Sequence, residues 1–378
     1  MPRRRIVRPE DALAHVVLER HLALRRGESI TIEAWSHALP WARSFVVEAR
    51  RLGAHPTLVV EDENAFFSSL ELLGSAAVSG APGLVAGAPD AHVYFGGPEA
   101  FPRLLGLPAN DLGSLVDRDG RGRYGSAPGA RTRGIRLAIG DVTPTAAARY
   151  GVNVAEWQRE LVRASLVDPT RLEATGRAFA RRLARARRLR VRHSNGTDLS
   201  FRLAGRAPAI VTGRPHRGPR AAWDRVPSGI AIFPIRAGTT EGVWESNRPA
   251  HDRFAQPNTV VGGRFEFHSG RLTQFEFDHG GESFARAYGR AGRGRERPVA
   301  LTVGLNPAID RAPEVVELGL GTLGLLLGDP PRRAGTPSSG FSFLATLAGA
   351  NVEADGHPWL VSGAAAPPLR KRRRTERR

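Results

Sequence analysis

LRRGESITIEA (residues 24–34) and EARRLGAHPTLVVED (residues 48–62) decide the architecture of the first half of this chain. Each carries the end of a helical run, a glycine that stops it (Gly27, Gly53) and a short apolar run after the glycine. Glycine suits that stop because it adopts the left-handed backbone of a helix C-cap without steric cost. Ser29 to Ala34 alternates like a strand, and Thr57 to Val60 reads as a second one. Upstream, Pro9 to Leu24 places Leu13, Val16, Val17 and Leu24 on or near one helical face. Leu39 to Leu52 predicts another helix, and Ala91 to Phe95 a third strand. Strands alternating with helices predict a parallel sheet covered by helices.

Working outward, residues 110–133 are rich in Gly, Arg and Asp, show no period, and predict a loop or insertion. Val154 to Arg163 and Pro169 to Arg188 read as helices, the second with an arginine-rich, solvated face. Then the character changes. Arg190 to His193 and Leu199 to Leu203 flank Asn195-Gly196, a hairpin signal. Ile230 to Ile235 is a strand, Arg264 to His268 and Arg271 to Phe277 pair about Ser269-Gly270, and Asn351-Val352-Glu353 precedes an Asp355-Gly356 turn. The expected organisation is an α/β N-terminal domain over residues 1–190, a β-rich α+β domain over 191–365, and a disordered basic tail over 366–378.

Composition limits the partners. The net charge of +18 invites a nucleic-acid reading, but Lys371 is the only lysine among 55 basic residues. Arg370 to Arg378 alone supplies +6, and Arg3, Arg4, Arg5 and Arg8 precede Glu10. About half of the excess therefore sits in the chain ends, so nucleic acid is a secondary expectation. Zero cysteines exclude disulfides and thiolate chemistry. No run approaches the roughly 20 apolar residues that span a bilayer. Met1 to Glu10 lacks the apolar core of a secretory signal, which predicts a soluble, cytoplasmic protein.

The order of these segments resembles the thermophilic metallo-aminopeptidase family of the aminopeptidase T type, which carries two metal ions. LRRGESITIEA is similar to its "lkkGe.v.i.a" segment, EARRLGAHPTLVVED to its "eAy..GA..v.v" segment, and NGTDLSFRLAGR (residues 195–206) to its "GTdLt....gR" hairpin. The resemblance spans about residues 9–361 and implies an aminopeptidase T-like fold in a homodimer.

Four segments carry ligands in that family; here all four lose them, and the first three largely keep their frames. For "PxGEvfxxP" the chain has Pro227-Ser-Gly229-Ile230-Ala-Ile-Phe233-Pro234, with Ile230 in place of glutamate. For "Exx(I/L)GxNPxI" it keeps Gly304-Leu-Asn306-Pro307-Ala-Ile309, with Ala300 in place of glutamate. For "GTxHxxLG" it has Gly321-Thr322-Leu-Gly324-Leu-Leu-Leu327-Gly328, with Gly324 in place of histidine. "SxxHxD" falls on Ser342-Phe-Leu-Ala345-Thr-Leu347, and Asp329-Pro330-Pro331 stands where the family has a tyrosine. Such ligands supply the binding free energy of the metal and activate its water. The reading therefore expects no metal, no cofactor and no aminopeptidase catalysis.

What remains predicts a catalytically inactive, aminopeptidase-like protein that binds a peptide in the cleft of the erased metal positions Ile230, Ala300, Gly324, Ala345 and Leu347. Glu241, Trp244, Arg248 and His251 are the expected border of that cleft. An acidic peptide complements the chain's charge, and a precursor peptide presented to a partner enzyme of ribosomal-peptide biosynthesis fits an inactive hydrolase scaffold. Two rivals stand beside it. One is a peptide hydrolase or cyclase with a relocated site built from His251, Asp252, Asp278, His279 and Glu282, near His268. The other is a nucleic-acid binder using the arginine-rich segments.

Overall fold

The computed structural model describes residues 8–74, 89–99, 132–215, 223–248, 250–251, 259–329 and 339–366. Arg3 to Arg5, nearly all of the expected 110–133 insertion, Asp252, Pro330, Pro331 and the basic tail from Pro367 lie outside them. The chain forms two compact units. One comprises Met1–Gly176, Ile210–Ala231 and Leu305–Gly319; the other comprises Arg177–Ala209, Ile232–Gly304 and Leu320–Arg378. A single boundary near residue 190 does not describe this division, because the chain returns to the first unit twice.

The first unit is the predicted parallel sheet. Its helix α1 (Pro9–Val16) runs on as a π-helical turn, Val17–His21, and β1 (Ser29–Trp35) follows. Next come α2 (Leu39–Arg51), β2 (His55–Glu61), α3 (Glu63–Leu73), β3 (Ala91–Phe95) and β4 (Arg133–Leu137). Three helices complete the cover: α4 (Pro144–Tyr150), α5 (Val154–Ser165) and α6 (Pro169–Leu183). The chain then builds β5 (Arg188–Arg192), β6 (Asp198–Arg202) and β7 (Ala209–Val211) before β8 (Trp223–Val226) returns to the sheet. The order is β2-β1-β3-β4-β8, parallel throughout.

Central β1 is buried from Ile30 to Trp35, as strands with helices on both faces must be. Edge strand β2 is the opposite, leaving Leu58 and Val60 exposed. It also tolerates Pro56, whose missing N–H costs nothing at an edge. The loops after β3 and β4 touch at Gly96 and Gly140, where a Cβ on either would lie 2.5 Å from the other's backbone. Only glycines permit that approach.

The second unit is antiparallel and β-rich. After β9 (Ile230–Pro234) come β10 (Glu241–Glu245), β11 (Ala250–His251), β12 (Thr259–Val260), β13 (Arg264–His268) and β14 (Arg271–Glu276). Helix α7 (Gly281–Arg290) leads to β15 (Pro298–Gly304), β16 (Leu323–Gly328) and β17 (Ser342–Leu347). β18 (Asn351–Ala354), β19 (His357–Val361) and β20 (Ala364–Ala365) end the described chain. One sheet has the order β14-β13-β10-β6-β5-β18-β19-β20, and another β17-β16-β15-β9-β7. The core between β13, β14, β17 and α7 is aromatic. Phe284, fully buried, has its ring 4.8 Å from those of Phe275, Phe277 and Phe343.

Two local expectations shift. The helix predicted to Arg188 stops at Leu183, and Arg188 to Arg192 alternates exposed and buried as strand β5. The hairpin at Asn195-Gly196 forms with positive φ at Gly196 alone, and the Asn195 side chain completes the turn by accepting from the Thr197 amide.

Candidate functional site

The retained frames are stitched together by hydrogen bonds. Asn306 is fully buried; its side-chain amide donates to the Ala164 carbonyl at 3.0 Å and the Ser228 carbonyl at 2.9 Å. Its Oδ1 accepts from the Ala308 amide at 3.0 Å, so the side chain is fully engaged. Leu305 N–H donates to the Gly229 carbonyl at 2.9 Å. In the second unit, Gly304 N–H donates to the Thr322 carbonyl and Gly321 N–H to the Gly304 carbonyl. The glycines and the asparagine common to the frames are thus backbone organisers.

The residues at the ligand positions do not converge. Ile230 is half-buried and packs against the core of the first unit. In the second unit, Ala300 pairs with Leu326 and Thr302 with Gly324; across the next ladder Leu326 pairs with Leu344 and Gly324 with Thr346. Directly opposed residues share a face, so Ala300, Thr302, Gly324, Leu326, Leu344 and Thr346 line one side of β15–β17. A Cβ on Gly324 would meet Thr302 Oγ1 at 2.4 Å and Leu344 Cδ1 at 2.7 Å, which confirms the shared face. Ala345 and Leu347 pair with Leu325 and Leu323, point the other way, and are fully buried. The expected grouping of all five is therefore corrected. On the face of Ala300 and Gly324, β17 contributes Leu344 and Thr346, one residue off the sequence placement.

The same face tests whether the family's two metal ions fit. It presents three apolar side chains, one glycine and two hydroxyls, and no carboxylate or imidazole. The Thr302 hydroxyl donates to the Gly324 carbonyl at 3.3 Å. These residues do not fit a metal that needs charged oxygen or imidazole ligands.

The expected border residues scatter. Trp244 is wholly buried and belongs to the core, which removes it as a peptide contact. Glu241 accepts from the Ser269 amide and pairs with His268 Nδ1 at 3.2 Å. Arg248 is half-buried, and His251 lies in β11, its side chain outside the described part. Asn247 does reach the three-strand region: its side chain donates to the Ala348 carbonyl at 2.9 Å and accepts from the Ala348 amide at 2.8 Å, just past β17. Asp278, His279 and Glu282 are exposed, and Gly280 occupies the N-cap of α7. Arg171, Arg177, Arg181 and Arg182 are exposed along α6, as a solvated face predicts.

A half-buried polar cluster in the first unit escaped sequence reasoning. Tyr150 donates to Glu314 at 2.7 Å, Arg225 donates to the Glu314 carbonyl at 2.9 Å, and Arg136 pairs with Asp141 at 2.7 Å. Burial pushes the Asp141 carboxyl up against the pull of Arg136, and burial together with Glu314 pushes the Tyr150 phenol up. Glu314 sits at φ +62°, a strained backbone for a non-glycine. No local motif announces a cluster drawn from residues 136 to 314.

No family model matches this chain, and no curated protein matches it in sequence. Solved structures do. Wild-type AmpT from Thermus thermophilus superposes with a TM-score of 0.67 at 18% identity, over 95% of this chain and 99% of that one. The 2,5-dihydroxypyridine dioxygenase from Pseudomonas putida KT2440 gives a TM-score of 0.55 at 15% identity, over 96% and 97% of the two chains. The chain thus has an aminopeptidase T-like fold, with a parallel α/β part and an antiparallel β-rich part.

Proposed function

We propose that this chain is a non-hydrolytic, aminopeptidase-like protein that binds a peptide and holds it for a partner enzyme. One observation carries the reading: the face of β15–β17 that bears Ala300 and Gly324 keeps its backbone frame and has no metal-ligand side chain. Ala300, Leu326 and Leu344 make it an apolar strip; Ala300 and Leu326 are buried, and half-buried Leu344 is where the strip opens. Apolar ligand surface removed from water contributes about 25 cal/mol per Å² before ordering costs. An acidic, gene-encoded precursor peptide matches the chain's surplus of arginine, and a homodimer is the proposed assembly.

The test combines two measurements on the full chain. Leucyl and related aminopeptidase substrates, with and without added Co²⁺, are expected to give no chelator-sensitive turnover. Calorimetric titration with acidic peptides is expected to give saturable binding that Leu344→Asp weakens at least tenfold while leaving the melting temperature within a few degrees. Turnover, or affinity indifferent to Leu344→Asp, overturns the proposal.

A further inference from the structure

The strand order β2-β1-β3-β4-β8 has a consequence independent of the β-rich unit. Numbered within the sheet it is 2-1-3-4-5, a doubly wound order whose connections diverge between β1 and β3. Open parallel sheets bind ligands outside the carboxyl ends of their strands at that switch point. Here β1 ends at Trp35, β2 at Glu61 and β3 at Phe95. Just beyond those ends stand His37, Glu63 and Glu99, each half-buried, with one ligand-type atom apiece lying within 4.8 Å of the other two.

The histidine's hydrogen bond fixes which nitrogen is available. His37 Nε2 lies 2.9 Å from the Gly140 carbonyl, beyond the end of β4. A carbonyl oxygen only accepts, so Nε2 carries the proton and Nδ1 holds the free lone pair. That Nδ1 is shielded from solvent and has no hydrogen-bond partner among the described residues. The Gly96–Gly140 approach fixes the carbonyl that orients the ring. Glu99 N–H donates to Glu63 Oε2 at 2.8 Å, which fixes the Glu63 carboxylate against the Glu99 backbone. The segments that follow β1, β2 and β3 thus bring one imidazole and two carboxylates together, and the imidazole is braced by a carbonyl in the manner of metal-binding histidines.

We propose that His37 Nδ1, Glu63 and Glu99 bind a Zn²⁺ ion at the β1/β3 switch point. One nitrogen and two oxygens at about 2.0–2.2 Å are ordinary zinc donors, and three protein ligands leave the fourth position open. The imidazole selects against Mg²⁺ and Ca²⁺, which take oxygen ligands. The site departs from the expectation of no metal. It shares no residue with the erased aminopeptidase positions and does not depend on peptide binding.

Metal-free full-length protein titrated with Zn²⁺ in a calorimeter should bind one ion per chain with Kd below about 10 μM, and Co²⁺ should give visible d–d bands. Glu63→Gln, Glu99→Gln and His37→Ala should each weaken Zn²⁺ at least tenfold and alter the Co²⁺ spectrum. Melting curves report whether each variant folds, and Glu99→Gln, on a half-buried loop, serves if His37→Ala does not. Three results overturn the proposal: no one-to-one binding, binding indifferent to all folded variants, or Mg²⁺ competing equally with Zn²⁺. An imidazolium paired with both carboxylates, the other way to satisfy Nδ1, gives the first of these.

Discussion

At the scale of single residues, Asn306 and Gly324 show what the retained motifs are for. Asn306 engages two carbonyls and an amide with no access to water. Asn306→Ala strands the Ala164 and Ser228 carbonyls and is expected to cost about 2–4 kcal/mol, read from urea denaturation. Gly324 is spaced by Thr302 and Leu344, so Gly324→Ala should destabilise by about 1–3 kcal/mol through overpacking. For the same reason Gly324→His, which restores the family's residue, should not recover metal binding at this face in a dialysis assay. The asparagine and the glycines were legible in the sequence because their frames are contiguous. The face on which Ala345 and Leu347 lie was not. Strand side chains alternate, so a one-residue misplacement in a segment without landmarks inverts inside and outside. The His37, Glu63 and Glu99 cluster left no trace in the sequence, because its three residues follow three different strands and share no local spacing.

At the scale of elements, α2, β1 and the β5–β6 hairpin follow from periodicity and turn chemistry within a dozen residues. The π-helical turn at Val17–His21 does not, since its reason is tertiary. It carries His21, whose Nδ1 lies 2.9 Å from the Gly213 carbonyl. Burial lowers the His21 pKa to about 4, and burial likewise lowers that of His92 on β3, beside Glu33, to about 4. In the unfolded chain both titrate near 6.5. The unfolded state therefore takes up protons first as pH falls. Stability is complete above about pH 6.5, declines toward pH 4 and levels off below it, by up to about 3 kcal/mol per histidine. His92→Gln, which keeps a donor for Glu33, should remove roughly half of that histidine-linked decline in denaturation midpoints measured from pH 8 to 4. In the second unit, α7 is held by its aromatic face, and Phe284→Ala is expected to cost about 3–5 kcal/mol.

At the scale of the whole molecule, the fold class was readable because strand–helix alternation gives way to hairpins near residue 190. The interleaving of the two units was not, since nothing local marks β8 as the partner of β4 or sends Leu305–Gly319 back to the first unit. A fragment of residues 1–190 lacks both pieces. It is expected to show no cooperative thermal transition by circular dichroism, whereas the full chain melts cooperatively. The same arrangement sets a timetable for synthesis. The first unit cannot close until residue 319 has left the ribosome, about 7–30 s after residue 176 at 5–20 residues per second. For the first part of that interval, until Val226 emerges about 2.5–10 s after residue 176, the β4 edge waits without its neighbour β8. Nascent chains stalled between these points should therefore recruit chaperones that the finished protein does not need.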